Sequence, residues 1–453
     1  MILSRRFQAV ILLLGDLILF YIALVLTLVI RYSSNLAVIG SGQLIDLNFA
    51  QIWSLHKWPF FFVHIIWVLI FYISDLYDIR KFSSPKMAMA KVLKTMAIAG
   101  PMAALLFYLV PFFGITPKTN LFIDVVLAAL FLMLWRRYFW MFSGKASKIK
   151  VLFFGSSKET ESFADYLKRN AQLGYEPAVI LAEVGHNLVD LIQKNKIQLI
   201  VASKNILEDK SAVKRFYEAL PLGISILDFP DFYETVAEKI PVSVISESWF
   251  LVNLVEINKR LFESFKRIFD IALSIILGVP TMFLFPIIGA VIKISGDGSI
   301  FYRQKRVGKN GKIFEIVKFR TMEENAEKNG AQWAIANDPR ATKAGKILRK
   351  TRLDELPQLW NILRGDMSFI GPRPERPEFI AELQKQIPHY AMRHLIKPGL
   401  TGWAQIKFPY AASVEDAMEK LQYDLYYIKN RSSVLDLAIF ARTIAIVISR
   451  KGH

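Results

Sequence analysis

An adjacent pair of carboxylates, Asp354 and Glu355, offers the clearest chemistry in this sequence. Arg352 precedes the pair. Arg373 follows it within a stiff Gly-Pro-Arg-Pro turn that presents a guanidinium suited to forked phosphate contacts. One carboxylate can serve as a nucleophile and a second can hold a divalent cation, so these residue types together suggest phosphoryl transfer. On spacing alone, an ordinary surface helix whose acids pair with Arg352 is an equally good interpretation.

The acid pair is predicted to lie at the start of a helix. Four large apolar residues follow it at roughly helical spacing: Leu356, Leu359, Trp360 and Leu363. This spacing would bury one face of the helix and leave the acids at its N-terminus. The partial positive charge of a helix N-terminus favours carboxylates and bound anions.

Two further segments would bring cations toward the acids. Residues 313–320 alternate apolar and polar side chains, which predicts a strand that follows a turn at 304–311 and ends at Lys318 and Arg320. Residues 397–402 form a glycine-rich loop that begins with Lys397. Such a loop can approach a diphosphate or a uracil closely, although by itself it is typical of a plain turn.

Four motifs occur here in the order seen in bacterial sugar transferases: KFRTM at 318–322, DELPQLWN at 354–361, GDMSFIGPRP at 365–374 and KPGLTGWAQ at 397–405. The segment from Lys259 to His453 closely resembles the monotopic phosphoglycosyl transferases, which start envelope-polysaccharide assembly on polyprenyl phosphate. The region before it is similar to the long-form members, which place a membrane bundle and a Rossmann-like domain ahead of the catalytic part.

The resemblance implies a reaction and a role for each residue. Asp354 would attack the sugar-bearing phosphorus of a UDP-hexose and form an aspartyl-phosphosugar intermediate, and Glu355 would hold Mg²⁺. Undecaprenyl phosphate, or another polyprenyl phosphate, would then accept the sugar phosphate, with UMP as the other product. The product would begin an exopolysaccharide, a capsule or an O-antigen. The residues expected to contact phosphates are Lys318, Arg320, Arg352, Arg373 and Lys397.

Composition indicates a membrane protein with an anionic partner. Of the 453 residues, 53% are hydrophobic, the mean hydropathy is +0.32, and the formal net charge is +18. No nucleic-acid-binding signature is present, so a membrane surface and a phosphorylated substrate are favoured over nucleic acid. The chain has no cysteine, which excludes disulfides, thiolate metal sites and cysteine nucleophiles.

Residues 1–145 are predicted to form a four-helix transmembrane bundle, from apolar runs at about 7–30, 58–75, 95–113 and 120–142. Pro59 would lie in the first turn of the second helix. For Asp16, inside the first run, pairing with a neighbouring helix is favoured over a functional role. Twelve flanking cations against three place both ends of the bundle in the cytoplasm. The twelve are Arg5, Arg6, Arg80, Lys81, Lys86, Lys91, Lys94, Arg136, Arg137, Lys145, Lys148 and Lys150, and the three are Arg31, Lys57 and Lys118.

Residues 146–250 are predicted to form a doubly wound, Rossmann-like α/β domain. Strands are expected at 148–154, 177–181, 197–202 and 224–227, with a helix after the first. Gly155 is a single glycine where the dinucleotide fingerprint needs three. We therefore expect a degenerate domain that serves stability, oligomerisation or regulation. The segment from Pro241 to Asn258 is predicted to be an irregular linker.

Residues 259–453 are predicted to form a monotopic α+β catalytic domain. Residues 271–292 carry no charge but have cations on both flanks, so the run should enter and leave the membrane on one face. Pro280 and Pro286 lie inside it, which predicts a re-entrant helix over about 266–293 with its break at Pro280. Residues 259–320 contain 12 lysines and arginines but only four acids. This excess of positive charge favours contact with anionic membrane lipids. The last segment, 434–449, would lie either in the membrane interface or against the core.

Two other functions remain open from the sequence. A membrane-anchored nucleotide-sugar dehydratase or epimerase would join similar helices to a Rossmann domain, but it needs a full glycine fingerprint and a Tyr-x-x-x-Lys pair. A non-catalytic scaffold for polysaccharide assembly is the second alternative. The expected location is the bacterial inner membrane, with the catalytic domain on the cytoplasmic face, and homodimerisation is plausible for a chain with two accessory domains.

Overall fold

A computed structural model describes residues 5–32, 36–38, 44–46, 48–78, 82, 84–109, 118–143, 148–155, 157–185, 187–254, 260–296, 298–323, 326, 338–408 and 413–448. Two compact units divide the chain. The first comprises residues 1–151, 164–178 and 194–198, and the second comprises 152–163, 179–193 and 199–453.

Four long apolar helices dominate the N-terminal part: α1 (Arg5–Arg31), α2 (Phe49–Ile73), α3 (Pro85–Leu109) and α4 (Lys118–Ser143). They pack around a shared apolar core in which Phe20, Phe60 and Trp67 are fully buried. Between α1 and α2, the short strands β1 (Leu36–Val38) and β2 (Leu44–Asp46) pair in antiparallel register. Each helix contains a segment long and apolar enough to cross a membrane, which is the character of a membrane protein.

Two of these helices begin earlier than hydropathy predicts. The α2 helix starts at Phe49, where Asn48 and Gln51 form a reciprocal capping box. Pro59 therefore lies inside α2, and the prediction that it occupies the first turn is wrong. The α3 helix begins at Pro85 rather than near residue 95. Caps and helix-initiating prolines set where a helix starts, whereas hydropathy detects only its apolar part.

The pairing predicted for Asp16 is confirmed. Arg136 on α4 donates two hydrogen bonds of 2.8 Å, one to each carboxylate oxygen of Asp16, and both side chains are buried. Arg136 thus lies inside the helix packing and does not belong to the flanking charges that were used to predict orientation. Of the other flanking cations, Arg80, Lys81 and Lys145 lie outside the described residues.

An α/β region follows, and the strands predicted for it are confirmed. Its strands form one four-stranded sheet in the order β4-β3-β5-β6, and β5 and β6 run parallel with Leu199 opposite Ser225. The elements are β3 (Ile149–Phe154), α5 (Lys158–Arg169), β4 (Tyr175–Leu181), α6 (Leu188–Asn195), β5 (Leu199–Ala202), α7 (Lys204–Glu208), α8 (Lys210–Ala219), β6 (Ser225–Asp228), α9 (Phe229–Ala237) and α10 (Glu247–Asn253).

The segment expected to be an irregular linker is instead packed structure as far as Leu254. Ile240, Val242 and Phe250 are buried in the same core cluster as Leu421 of the C-terminal region. The Ile240 N–H also donates to the carbonyl oxygen of Gln422 at 3.0 Å. The linker prediction is wrong here because scattered apolar residues without periodicity can still be buried by tertiary contacts. Residues 255–259, which contain the predicted domain boundary, lie outside the described residues.

The C-terminal region contains a long helix, two strand pairs and several shorter helices. β7 and β8 form an antiparallel hairpin with Phe301 opposite Phe319. Two strands around a turn were predicted here, but the turn predicted at 304–311 is wrong in its first part, because β7 continues to Val307. β9 and β10 are parallel. The elements are α11 (Arg260–Ile294), β7 (Phe301–Val307), β8 (Ile313–Phe319), α12 (Lys343–Thr351), α13 (Gln358–Arg364), β9 (Ser368–Ile370), α14 (Pro377–Gln386), β10 (Gly399–Thr401), α15 (Trp403–Lys407), α16 (Val414–Asn430) and α17 (Ser433–Ile448).

The α11 helix is one continuous helix of 35 residues that contains both Pro280 and Pro286. Two separate helices are thus not observed, but an uninterrupted helix can still bend at a proline, and the break expected at Pro280 stays a prediction. A proline inside a helix removes one backbone donor, and the turns on either side can retain their own hydrogen bonds. Whether α11 is re-entrant in a membrane stays a prediction.

The last segment was expected to lie either in the membrane interface or against the core, and the α17 helix has features of both. Ile439 is fully buried in the core of the C-terminal region, while Val434 and Leu437 on the same helix are exposed. One face of α17 thus packs on the core, and its exposed face is partly apolar.

Candidate active site

The acid pair lies on a single 3₁₀ turn, Leu353–Glu355, between α12 and α13. Arg352 connects this turn to α12 in a left-handed conformation with φ 59°, which is unusual for a residue other than glycine. The reversal turns the chain so that both acids point inward. Asp354 is 7% exposed and Glu355 is 8% exposed, a degree of burial that is rare for carboxylates without partners.

A close backbone approach positions α12 against the segment that follows β8. A Cβ atom on Gly345 would lie 2.0 Å from the carbonyl oxygen of Thr321, so any other residue there would force α12 away. The Arg349 Nε atom donates to the hydroxyl of Thr321 at 2.9 Å from the same helix. These contacts fix the end of α12 that leads into Arg352 and the acid pair.

The α13 helix buries a different face from the one predicted. Leu359 is buried as expected, but Trp360 is 61% exposed, and Ile362, which was not predicted to face the core, is fully buried. The buried face includes Asn361, whose Nδ2 donates to the carbonyl oxygen of Glu315 at 2.7 Å and whose Oδ1 accepts from the N–H of Val317 at 3.2 Å. Asn361 therefore ties α13 to β8, the strand that carries Lys318.

Sequence reasoning missed Asn361. A polar residue inside an otherwise apolar run was the available signal, because such a residue is buried only when its amide finds partners. The partners are backbone groups about 45 residues earlier in the chain, so the sequence alone does not reveal them.

Three cations converge on one oxygen of Glu355. The Oε1 atom accepts from Lys318 Nζ at 3.2 Å and from Arg373 Nη2 at 3.0 Å, and Arg352 Nη1 lies 3.9 Å away. Burial alone would raise the pKa of Glu355. The charges of Lys318, Arg373 and Arg352 outweigh burial and hold that pKa well below its usual range. Glu355 is therefore ionised throughout the physiological pH range.

Asp354 has the opposite electrostatic setting. Burial, and then the negative charge of Glu355, raise its pKa to about 6, against the opposing effect of Lys318. Its Oδ1 atom is buried and has no hydrogen-bond partner in the part of the chain that the structure describes. A buried oxygen without a partner is costly and is expected where a substrate or an ion supplies the missing contact.

A buried network supports the backbone of Arg373. Arg393 Nη2 donates to the carbonyl oxygen of Arg373 at 3.1 Å and to Asp424 on α16 at 2.8 Å, and Arg393 Nη1 donates to the Tyr390 hydroxyl at 2.6 Å. Burial of this network raises the pKa of Tyr390 to about 12. Sequence reasoning missed Arg393, because its partners are separated from it by up to 31 residues with no periodic pattern.

The structure brings four predicted residues, Lys318, Arg352, Arg373 and Glu355, into one cluster beside Asp354. Arg320 lies at the end of α11, where its Nη2 atom donates to the carbonyl oxygens of Ile292 at 3.4 Å and Gly296 at 2.7 Å. Pro280 lies inside α11, as described above.

Lys397 lies in a separate cavity, together with Arg267 and Asp270 of α11. The glycines that follow it have a packing role: a Cβ on Gly399 would lie 2.1 Å from the backbone nitrogen of Gly371. Close contact between the backbones of β9 and β10 therefore accounts for a glycine in this loop, without any bound phosphate.

The acid pair suits a hard divalent cation such as Mg²⁺. Mg²⁺ prefers oxygen ligands and is commonly held by one or two carboxylates together with water and substrate phosphates. Glu355 is ionised, and the Oδ1 atom of neighbouring Asp354 is unpaired, so the donor set fits. The described ranges contain no group of three or more His, Cys, Asp or Glu that could hold a metal.

Comparison with known proteins identifies the family. Residues 261–450 match the family model described as bacterial sugar transferase. An uncharacterized sugar transferase, EpsL of Bacillus subtilis, is 38% identical over 188 residues, which are 41% of this chain and 89% of that protein. The chain belongs to the bacterial sugar transferase family. The matched segment contains the acid pair, every cation around it, and Lys397.

Two further bacterial sugar transferases carry names with a stated reaction. The UDP-glucose:undecaprenyl-phosphate glucose-1-phosphate transferase of Klebsiella pneumoniae is 32% identical over 322 residues, which are 66% of this chain and 67% of that protein. The UDP-N-acetylgalactosamine-undecaprenyl-phosphate N-acetylgalactosaminephosphotransferase of Aeromonas hydrophila is 44% identical over 188 residues, which are 41% of this chain. The match spans 44% of the Aeromonas protein, which is less than half its length.

Proposed function

We propose that this chain transfers a hexose 1-phosphate from a UDP-sugar to undecaprenyl phosphate or another polyprenyl phosphate. The observation that carries this proposal is the buried Oδ1 atom of Asp354, which lacks a hydrogen-bond partner among the described residues beside a cation-bound Glu355. The names of the Klebsiella and Aeromonas relatives, which specify a UDP-sugar and undecaprenyl phosphate, support it. The product would begin the assembly of an exopolysaccharide, a capsule or an O-antigen.

In the first step, a carboxylate oxygen of Asp354 attacks the phosphorus that bears the sugar. A bond forms between that oxygen and the phosphorus, the bond between this phosphorus and the UMP oxygen breaks, and UMP leaves with the electron pair. Burial suits this step because it removes water that would otherwise solvate the carboxylate and weaken it as a nucleophile.

The cations around Glu355 have a defined part in this step. Arg373 and Lys318 bring two positive charges to the acid pair, where the phosphates of the donor would bind and where charge develops on the leaving UMP. Glu355 holds these cations in place and, with Asp354, would hold Mg²⁺. When bound, that ion would neutralise the diphosphate and assist departure of the leaving group.

In the second step, a phosphate oxygen of the polyprenyl phosphate attacks the same phosphorus. The bond between Asp354 and the phosphorus breaks, and the carboxylate of Asp354 is regenerated as polyprenyl diphosphate sugar forms. Because the sugar phosphate is carried on the enzyme between the two steps, the kinetics should be ping-pong.

The contacts of α11 support a re-entrant placement in the membrane. Near its start, Lys266 pairs with Asp436, and near its end Ile292 packs against Phe319, so both ends contact the sugar transferase segment. Between them, α11 exposes large apolar side chains such as Phe283, which is 77% exposed. An apolar middle with both ends held on one domain fits a helix that enters and leaves on the same face.

The rest of the proposed organisation follows from this placement. The four N-terminal helices would span the bacterial inner membrane, with the sugar transferase segment on the cytoplasmic face, where nucleotide sugars are made. The α/β region would serve as a degenerate Rossmann-like accessory domain, and the chain would form a homodimer. The exposed apolar surface of α1 to α4 is the expected contact with lipid.

The test is UMP release by the detergent-purified full chain with Mg²⁺ and undecaprenyl phosphate. The donor panel should include UDP-glucose and UDP-N-acetylgalactosamine, the sugars for which the relatives are named. We expect repeated release with at least one donor, dependent on both lipid and metal. Without lipid, the intact mass of the chain should rise by one sugar phosphate. Absence of release with every donor would contradict the proposal, and repeated release without lipid, beyond one UMP per chain, would contradict the acceptor.

A further inference from the structure

Glu238, the residue that follows α9, connects the α/β region to a short helix of the sugar transferase segment. Its backbone is left-handed, with φ 56°, at the point where α9 ends. Its carbonyl oxygen accepts from the indole N–H of Trp403 at 3.2 Å, and its Oε2 atom accepts from Lys407 Nζ at 2.7 Å. Trp403 and Lys407 are the first and last residues of α15, so this one glutamate holds both ends of the helix.

The ring of Trp403 is also held by its other neighbours. It is 5% exposed and stacks on the ring of Tyr426, with 6.0 Å between the centroids. Two cations lie against it: Lys407 Nζ is 4.5 Å from the ring centroid, and the Arg442 guanidinium carbon is 5.6 Å away. The ion pair with Glu238 therefore also helps to keep Lys407 beside the ring.

The start of α15 is in close backbone contact with the turn at residues 371–374, which carries Arg373. A Cβ atom on Gly402, the residue before α15, would lie 2.1 Å from the carbonyl oxygen of Gly371. The Gly371 N–H in turn donates to the carbonyl oxygen of Thr401 at 2.9 Å. Because no space separates these backbones, a shift at the start of α15 must also move the turn.

The turn determines where the guanidinium of Arg373 lies. Its Nη2 atom donates to Glu355 Oε1 at 3.0 Å, beside Asp354. Displacements of about 1 Å that begin far from the reacting atoms can lower a rate by about 100-fold. A contact that fixes α15 can therefore affect the chemistry at the acid pair without touching it.

Other contacts between the α/β region and the sugar transferase segment lead elsewhere. Glu234 on α9 accepts from Lys429 at 2.7 Å and from Asn430 at 2.6 Å, at the end of α16. Glu234 thus holds α9 against α16, whereas Glu238 holds α15. The two glutamates are four residues apart, so they allow general docking of the α/β region to be separated from positioning of the turn.

Glu238 lies outside residues 261–450, the segment that matches the family model. Its partners Trp403 and Lys407 lie inside that segment. The part of the chain that precedes the sugar transferase segment therefore contributes a contact to one of its motifs.

We propose that Glu238 is a positioning residue that, through α15 and the turn at residues 371–374, holds Arg373 at the acid pair. The α/β region thereby supports the active site in addition to any role in stability. The expected effect on activity rests on the proposed transferase function, but the effect on the turn does not.

The first test is amide hydrogen exchange of the full-length chain in detergent, measured in peptides that cover residues 368–374. We expect Glu238→Ala to speed exchange at Gly371 about tenfold, because one charge-assisted contact that holds the turn through α15 is lost. Glu234→Ala is the matched control and should leave this exchange unchanged, since its partners are on α16.

Unchanged exchange at Gly371 in Glu238→Ala would overturn the inference. So would an equal increase in Glu234→Ala, because looser docking in general would then explain the result. If Glu238→Ala fails a thermal-melting check for folding, Lys407→Met breaks the same ion pair from the other side and takes its place.

The second test is a double-mutant cycle on UMP release. Glu238→Ala alone should lower the rate about tenfold. In an Arg373→Lys background it should cause less than about a twofold further loss, because the forked donor that Glu238 positions is already absent. A further loss of about tenfold would show that Glu238 does not act through Arg373.

The two tests also separate this inference from the proposed function. Faster exchange at Gly371 in Glu238→Ala, in a chain that releases no UMP with any donor, would contradict the proposed function and leave the positioning intact. A wild type that releases UMP, with unchanged exchange in Glu238→Ala, would leave the function intact and overturn the positioning.

Discussion

Two places where buried carboxylates lie beside arginines can be compared, one among the N-terminal helices and one at the acid pair of the sugar transferase segment. In the first place, both oxygens of Asp16 accept from Arg136 at 2.8 Å. In the second, one oxygen of Glu355 has three cations around it, while the Oδ1 atom of Asp354 has no partner among the described residues. The residue types are alike, but only the first group pairs every carboxylate oxygen.

The difference separates a structural role from a catalytic one. A buried ion pair whose carboxylate oxygens are both hydrogen-bonded holds its helices in register. A cluster that concentrates cations next to an unpaired carboxylate oxygen costs stability unless a ligand completes it, and such arrangements occur at functional sites. We therefore read Asp16 as structural, and the unpaired oxygen is the reason that we propose Asp354 as the nucleophile.

Replacing the unpaired carboxylate should have the largest effect. We expect Asp354→Asn to lower UMP release by about 10⁴-fold or more, because the amide cannot form the acyl phosphate intermediate. The variant should fold and melt at a temperature no lower than the wild type, since it removes a buried acid. Asp366→Asn, the same chemical change on a residue paired with Arg364, is the control and should keep its activity. Substantial turnover by Asp354→Asn would refute the assignment.

Breaking the Asp16–Arg136 pair should lower the stability of the chain without changing its activity per folded molecule. Asp16→Asn leaves the Arg136 guanidinium buried with no opposite charge, which should cost about 3–5 kcal/mol of unfolding free energy. Thermal melting in detergent measures the loss. The double variant Asp16→Leu, Arg136→Leu should recover most of it, and activity per folded molecule should match the wild type. If the double variant folds well but is inactive, the pair has a function beyond packing.

Asn361 offers a test of how the cations are positioned. Asn361→Leu removes both hydrogen bonds to β8 and should cost about 1–3 kcal/mol of stability, since two backbone groups lose their partners. Lys318, which β8 carries, should move away from the acid pair. Because Lys318 lowers the pKa of Asp354, the pH profile of activity should shift to higher pH. A loss of stability with an unchanged profile would mean that Asn361 has a purely structural role.

The pH dependence should show the smallest effect. The pKa of Asp354 is about 6, and the nucleophile must be ionised, so the rate of the first step should fall about tenfold for each pH unit below 6. Because this pKa is raised above the value of 3.8 for an unperturbed Asp, the folded chain holds the proton more tightly. The stability contributed by Asp354 is therefore present below about pH 4 and is lost as the pH rises through 6. Asp354→Asn should lack this loss of stability. If the melting temperature of the variant depends on pH in the same way as that of the wild type, the raised pKa is contradicted.

Several parts of the fold could be predicted from the sequence because they depend on local patterns. The apolar runs of the N-terminal helices are long enough to cross a bilayer, and the four strands of the α/β region are short runs bounded by turn residues. The β7–β8 hairpin was predicted for the same reason, from alternation around a turn rich in glycine. Helix starts at Phe49 and Pro85 were missed, because capping depends on polar residues that hydropathy ignores.

At the site, the sequence indicated the residue types but not their partners. The motif order placed Lys318, Arg352 and Arg373 with Glu355, and the structure brings them together. It also grouped Lys397 with them, whereas the structure places this lysine in another cavity beside Arg267. A motif can show that a cation belongs to the same domain, but the direction of its side chain depends on the elements that surround it.

The sequence by itself determined which segments are apolar enough to enter a membrane, which residues can act as nucleophile and phosphate contacts, and the order of the motifs. Only the tertiary structure decided that Asp354 has an oxygen without a partner among the described residues, whereas three cations surround Glu355. It also decided that both oxygens of Asp16 accept hydrogen bonds from Arg136. The physical reason is that composition and periodicity are local properties of the chain. Burial and charge pairing depend instead on contacts between residues that are far apart in sequence, here 120 residues for Asp16 and Arg136.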